Sequence, residues 1–212
     1  MPDDVDLTTQ RVRNPWGQGE RLRAEILDAA VRLLSELGGE EALTIRGVAR
    51  AVGIAPASIY QHFADKAALV RGVAEYDYER LSAVMREADE SVPPDDVVGR
   101  VRAQMHAYCL FAIASPGHYR LMLGRHRIAG QEPGRPPQGP LFTIVEAVIA
   151  AFERCEQAGK TLRVPSERAA VIVFVGTHGR VALYHSSAPE DGEGEGDHIL
   201  QFVDELIELV FD

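Results

Sequence analysis

Cysteine is scarce in this sequence, and apolar runs long enough to cross a membrane are missing. Two cysteines, Cys109 and Cys155, occur among 212 residues, which is too few for a disulfide framework and lacks the spacing of a zinc site. Two buried thiols are the simplest interpretation, with a redox pair as the alternative. Apolar runs such as residues 169–175 are far too short for a bilayer, and the acidic start MPDDVDLTTQ lacks the apolar segment of a signal peptide. We therefore expect a soluble, cytoplasmic protein with no membrane partner.

Local signatures of catalysis are also missing. The sequence contains no G-x-S-x-G, no P-loop and no G-x-G-x-x-G, which mark several large enzyme classes. Its carboxylates fall on polar faces and in an acidic segment, residues 186–197, where solvation accounts for them. We expect no enzymatic activity and no cofactor. An enzyme that uses a pocket in the C-terminal part of the chain is an alternative.

The net charge of −10 is unevenly distributed along the chain. Residues 11–72 contain 9 basic and 7 acidic residues, whereas residues 73–212 contain 13 basic and 22 acidic residues. A mostly acidic molecule with one mildly basic segment is unsuited to indiscriminate nucleic-acid binding, but it can bind through one local surface.

Apolar residues at helical spacing recur along the whole chain, whereas strand signals are scarce. A first stripe from Leu22 to Leu37 stops at the glycine pair 38–39. The pattern predicts further helices over about 45–51, 56–63, 66–89, 98–112, 119–125, 144–158, 165–187 and 198–211. Residues 130–140 and 186–197 are predicted loops, because they are rich in glycine, proline or acidic residues. The chain is therefore predicted to be all-α.

Three short helices at the start form a predicted head, and the rest forms a larger helical body. Thr44 is a plausible N-cap, Gly53 supplies the positive φ of a tight turn, and Pro56 suits a first helical turn. Asp65 is expected to cap the long helix that follows. We expect an N-terminal arm over residues 1–18, a head over 19–66 and a body over 67–212.

Residues 44–63 have the pattern of a helix-turn-helix, in which the second helix lies in the major groove of DNA. Ile59 and Phe63 are four residues apart and are expected to face the core. The remaining positions carry small residues for close approach and then hydrogen-bonding groups, in the order Pro56, Ala57, Ser58, Tyr60, Gln61 and His62. Lys66 starts the next helix, where an ammonium and the helix dipole both attract an anion.

The stretch TIRGVARAVGIAPASIYQHFADKAAL, residues 44–69, resembles the DNA-binding domain of TetR-type transcriptional repressors. The glycine turn, the Y-x-H-F segment and the lysine three residues after the phenylalanine carry the resemblance. It implies a homodimer that binds a near-palindromic operator with its two heads in successive major grooves. It implies phosphate contacts from Thr44, Arg46, Tyr60, His62 and Lys66. It also implies that the residues nearest the bases are Ala57, Ser58 and Gln61.

Two segments of the body, SPGHYRLMLG (115–124) and VGTHGRVAL (175–183), are similar to the C-terminal class called WHG within that family. His178 and Gly179 match its last two letters, but Phe174 stands where the class has tryptophan. The resemblance implies a ligand-binding and dimerisation domain.

A pocket among the body's apolar helices would accept a small apolar or aromatic effector. The candidate contacts are apolar or aromatic residues and one histidine, namely Met105, Tyr108, Phe111, Tyr119, Met122, Phe142 and His178. Ordinary core packing is the alternative for each. We expect no metal site, although His178 and His185 share a helix face and could bind one with His106 or Cys109.

The last two helices are more apolar than a monomer needs, especially residues 169–175, which we expect to be buried on several sides. Paired in two copies, they would form a four-helix dimer interface. Binding of a ligand that favours another spacing of the two heads would then make the dimer dissociate from the operator. Three alternatives stay open: activation instead of repression, a small-molecule or metal carrier without DNA binding, and an arm in which Arg11 and Arg13 contact DNA.

Overall fold

The computed structural model describes residues 18–37, 40–117, 119, 140–186 and 195–212. These residues form eight helices: α1 (Gln18–Leu37), α2 (Ile45–Val52), α3 (Pro56–Tyr60), α4 (Lys66–Ser91), α5 (Val97–Ala114), α6 (Pro140–Gln157), α7 (Ser166–Ser186) and α8 (Glu195–Val210). Within the described ranges, the one β-type pairing is an isolated bridge between Leu162 and Phe211. The all-α class is therefore confirmed.

Several sequence predictions concern residues outside these ranges. They are Arg11 and Arg13 in the N-terminal arm, most of the two predicted loops, and the predicted helix over 119–125 apart from Tyr119.

The head is built around one hydrophobic core to which four helices contribute. Ile26 and Leu34 of α1, Val48 of α2, Ile59 of α3 and Leu69 of α4 are all buried in it. Each helix presents one apolar stripe to this core, and α2 and α3 depend on that packing because helices of eight and five residues are marginal alone. α3 is held at the head surface by this core.

The body has a second core that begins partway along α4. Leu81 and Met85 of α4 pack with α5–α8, and α5 lies centrally because it contacts α4, α6, α7 and α8. α4 runs through both cores over 26 residues, a length of about 39 Å at 1.5 Å per residue. One continuous helix therefore links the head to the body.

Two sequence predictions about helix packing need correction. α3 ends at Tyr60 and does not continue to Phe63. The His62 N–H donates to the Ile59 carbonyl three residues back, which is the bond of a turn and not of an α-helix. Residues 169–175 are not buried on several sides in the single chain, since Val171 and Val175 are 45% and 60% exposed. α7 lies at the surface, so one side of it has no cover from the part of the chain that the structure describes.

The two cysteines are free thiols buried at separate positions, as the sequence indicated. Burial raises the pKa of Cys109 to about 12 and that of Cys155 to about 11, so both thiols are protonated and unreactive near neutral pH. Across the described residues, we find no helix with the length and apolarity that a membrane span requires.

Candidate nucleic-acid interface

The turn between α2 and α3 is shaped by local hydrogen bonds. The Thr44 side chain caps α2 by accepting a hydrogen bond from the Gly47 N–H at 3.0 Å. Gly53 ends α2 at φ 78°, and its own N–H donates to the carbonyls of Ala49 and Arg50. This left-handed conformation is costly for a residue with a Cβ. Gly53 therefore sets the direction in which the chain enters α3, as predicted.

α3 buries its apolar side and presents its other side to solvent. Ile59 is fully buried and Phe63 is 4% exposed, whereas Tyr60 between them is 56% exposed. Among the described residues up to Val73, Tyr60 is the one large apolar side chain that is exposed. A phenol left in water beside a closed core is a surface group available for contact.

The other predicted contacts of the head differ in exposure. The exposed ones are Thr44, Arg46, Pro56, Ala57 and Gln61, and the half-buried ones are Ser58, His62 and Lys66. The head thus brings a guanidinium, a phenol, a carboxamide and small residues to the surface formed by α2, the turn and α3. Such groups can donate hydrogen bonds to phosphate oxygens and base edges.

Lys66 has a structural contact that the sequence did not indicate. Its Nζ donates a hydrogen bond to the backbone carbonyl of Glu41 at 3.0 Å, which ties the segment before α2 to the start of α4. The neighbouring Asp65 carboxylate accepts from the Ala68 N–H at 2.7 Å, so the helix end that was expected to attract an anion already holds one. An ammonium has three N–H donors, and the contact with Glu41 uses one of them.

Two family models match the chain. Residues 26–73, which cover most of α1 and reach into α4, match the model for bacterial regulatory proteins of the tetR family. Residues 101–208 match the tetracyclin repressor-like C-terminal domain. The chain belongs to the tetR family.

Relatives of this TetR-family protein include a nucleoid occlusion factor, SlmA of Vibrio campbellii, which is 30% identical over 145 residues covering 67% of this chain and 72% of the relative. A solved protein of unknown function from Rhodococcus sp. RHA1 has a TM-score of 0.74 at 25% identity, covering 94% of this chain and 100% of the other. A TetR family transcription regulator from Marinobacter aquaeolei VT8 has a TM-score of 0.66 at 18% identity, covering 92% of this chain and 98% of the other. The fold is thus that of TetR regulators, and assignment to the WHG class stays a prediction.

Three of the predicted ligand contacts meet in the body of the TetR fold. The Tyr108 hydroxyl lies 2.6 Å from Nδ1 of His178, and the Tyr119 hydroxyl donates to the His178 carbonyl at 2.7 Å. Burial raises the pKa of Tyr108 and lowers that of His178. Both groups are therefore neutral near pH 7, and the tautomer of His178 sets which of the two donates the hydrogen bond.

The remaining predicted ligand contacts are dispersed. Met105 is fully buried and Phe111 and Phe142 are half-buried, while Met122 lies outside the described residues. Cavities of about 360 and 280 Å³ occur among the described residues, and neither is lined by any of the predicted ligand contacts.

The histidines considered for a metal site have other partners. His106 Nε2 lies 2.8 Å from an Asp204 carboxylate oxygen, and His185 Nε2 lies 2.9 Å from the Ala112 carbonyl. In the part of the chain that the structure describes, no group of three or more His, Cys, Asp or Glu side chains is arranged to hold a metal ion.

Sequence reasoning missed a polar cluster in the body, where Asp89 and Gln104 are buried beside Arg154. The sequence does contain a signal of this cluster, because Gln104 lies on the same helical stripe as the core residues Val101 and Tyr108. A polar residue at a core position of an amphipathic helix calls for a partner.

Proposed function

We propose that this TetR-family protein is a dimeric repressor that binds a palindromic DNA operator through α3 and releases it when a small molecule occupies the body. The observation that carries the proposal is the exposure of Tyr60 on a five-residue helix whose neighbour Ile59 is fully buried. Packing does not account for an exposed phenol there, whereas a phosphate contact does. Gln61 and the small residues Ala57 and Ser58 then lie nearest the base edges.

In this proposal, Arg46 and Thr44 contact phosphates from the start of α2. The exposed Arg46 guanidinium supplies a positive charge, and contacts between such charges and phosphates account for most of the salt-dependent affinity for DNA. His62 and Lys66 contribute from half-buried positions, Lys66 through the donors that Glu41 leaves unused. The head over residues 19–66 is the DNA-binding part, and residues 67–212 form the sensing and dimerisation part.

An exposed apolar face on α7 supports dimerisation. Val171, Val175 and Leu183 are spaced by multiples of four and are 45%, 60% and 61% exposed. Ile172 beside them is 41% exposed, and Leu209 on α8 is 62% exposed. Contiguous apolar surface of this kind marks an interaction site, and a second copy would cover it with the same face by two-fold symmetry. The heads would then address major grooves about 34–36 Å apart, or a small multiple of that distance.

The segment after α5 that contains Gly117 and Tyr119 contacts both the head and the body, and it could therefore carry the effect of a ligand to the head. Its residue Gly117 packs against the backbone of α1 in the head, and its residue Tyr119 is hydrogen-bonded to α7 of the body. A ligand that displaces the segment would therefore shift α1 relative to the body. Operator affinity falls by the factor with which the ligand prefers the displaced state.

DNA from upstream of the protein's own gene provides the test, with binding followed by fluorescence anisotropy over a range of salt concentrations. The proposal requires saturable binding that weakens steeply with salt and exceeds binding to unrelated DNA of the same length. Equal affinity for both DNAs would leave a helical small-molecule carrier as the better account of the chain.

A further inference from the structure

A cavity of about 280 Å³ with both apolar and polar walls lies between α4, α5 and α6, apart from the ligand contacts predicted from the sequence. Its volume is close to the lower end of the range of roughly 300–1,000 Å³ found for small-molecule sites. Its apolar wall includes Met85 and Ile144, and its polar wall includes Asp89, Gln104 and Arg154. The cavity thus offers an apolar surface for a small organic body and a few polar groups to orient it.

The charge at this cavity is unbalanced toward positive. The Asp89 carboxylate, 10% exposed, pairs with the guanidinium groups of both Arg100 and Arg154. The single Asp89 carboxylate therefore balances the positive charge of one of these two partly buried guanidinium groups, and the charge of the other is left unbalanced within this cluster. Arg154 lines the cavity and is 37% exposed, and a guanidinium has five N–H donors in a planar fork suited to a carboxylate. An anion entering the cavity would supply the missing negative charge.

The second feature is a buried hydrogen-bond acceptor without a donor. Gln104 is 5% exposed and lines the cavity, and its Oε1 atom has no hydrogen-bond partner among the residues that the structure describes. A buried polar atom left unpaired is destabilising, and most buried polar atoms in folded proteins have a partner. A hydroxyl or N–H group of a ligand would satisfy it.

We propose that this cavity binds a small organic acid that also carries a hydroxyl or N–H donor. The carboxylate pairs with Arg154, the donor group bonds to Gln104 Oε1, and the carbon skeleton packs on Met85 and Ile144. This chemistry adds a charged group and a hydrogen-bond donor to the small apolar or aromatic effector expected from the sequence. The role of the molecule as effector rests on the proposed function, whereas its binding does not.

The position of the cavity gives such a ligand access to the element that joins head and body. Met85 and Asp89 belong to α4, whose first turns lie in the core of the head, and they face α5 and α6 across the cavity. An acid that bridges Arg154 of α6 to Gln104 of α5 would therefore change the packing of α4 against both helices.

The test uses 4-hydroxybenzoate and 3-hydroxybenzoate as probes, titrated calorimetrically into the full chain without DNA. Benzoate lacks the donor and 4-hydroxybenzamide lacks the charge, so each removes one proposed contact. We expect the better hydroxybenzoate to bind saturably, and each truncated probe to bind about tenfold more weakly.

Two variants and one control test which side chains make the proposed contacts with the ligand. Gln104→Leu should abolish the preference for hydroxybenzoate over benzoate, and its melting temperature without ligand should not fall, because it removes an unpaired buried atom. Arg154→Gln should abolish the preference for the acid over the amide. Arg168→Gln, at an exposed position of α7, is the control and should behave as the unmodified protein.

Two results would overturn the proposal: no saturable binding of either hydroxybenzoate at millimolar concentration, or the same affinities in Gln104→Leu as in the unmodified protein. Because the titration contains no DNA, its failure is separate from failure of the operator test. A protein that binds hydroxybenzoate but not its upstream DNA would keep this site and lose the proposed repressor function.

Discussion

Gly117 lies directly against the backbone of Ser35, and this contact joins the body to the head. A Cβ placed on Gly117 would be 2.7 Å from the Ser35 nitrogen, closer than real Cβ contacts allow. Glycine is therefore required by the approach of two backbones, with no positive φ involved. The contact explains how a change near α5 can reach α1.

Gly117→Ala should destabilise the protein, because the added methyl group forces the two backbones apart. Overpacking of this kind costs about 1–3 kcal/mol, which chemical denaturation would measure. Gly19→Ala is the control, since its Cβ would meet nothing within 4 Å, and alanine in a helix is favoured over glycine by about 0.5–1 kcal/mol. Equal free energies of unfolding for the two variants would contradict the close contact.

Arg46→Ala should weaken binding to all DNA sequences and lower the slope of log affinity against log salt by about 1, because one phosphate contact is lost. Gln61→Ala should leave that slope unchanged and alter base preference by about 1–3 kcal/mol at one position. Anisotropy titrations on operator variants measure both effects. Arg86→Ala, exposed on α4 in the body, should change neither, and an unchanged slope in Arg46→Ala would remove its phosphate role.

Val175→Glu should separate the proposed dimer, because two-fold symmetry would bury two added carboxylates in one apolar interface. Like charges at an interface cost several kcal/mol, so the dissociation constant should rise by at least about a hundredfold, as sedimentation analysis would show. Val84→Glu is the control at an apolar position of α4 that is 39% exposed. Dissociation by both variants alike, or by neither, would place the interface elsewhere.

Acid should destabilise the protein partly through His178. Burial lowers its pKa below the ordinary 6.5, so the unfolded chain takes up a proton more readily than the folded chain does. The contribution of His178 to stability is complete above pH 6.5 and is lost as the pH falls through the lower pKa of the folded state.

His178→Gln keeps a side chain that can donate to or accept from the Tyr108 hydroxyl, and it removes the titration. Its melting temperature should therefore fall less between about pH 7.5 and about pH 5 than that of the unmodified protein. His198→Gln, exposed on α8, is the control and should keep the full acid sensitivity. The same fall in both variants would exclude His178 as a source of it.

Much of the head could be predicted because its signals are local. The Thr44 and Asp65 caps each bond an N–H three residues along the chain, and the Gly53 turn joins neighbouring residues. Cap chemistry depends on the residue type and its nearest neighbours, so the sequence suffices for it. The exposure of Tyr60 followed from the four-residue spacing of Ile59 and Phe63 in the same way.

The side-chain contacts of the body could not be predicted in this way, because they join residues that are far apart in the chain. Tyr108 meets His178 across 70 residues, and Asp89 meets Arg154 across 65. Periodicity marks which residues are buried but not which of them meet, so the predicted ligand contacts were chosen by residue type alone.

The sequence by itself determined the helices of the head, their caps and the residues they expose, since each depends on neighbours within one turn. Tertiary structure alone decided that the Lys66 ammonium binds the Glu41 carbonyl and that Gln104 Oε1 faces a cavity without a hydrogen-bond partner among the described residues. It also decided that one face of α7 is left uncovered by the described part of the chain. These outcomes depend on how whole helices pack against each other, and the free energy of that packing is shared among residues far apart in the chain.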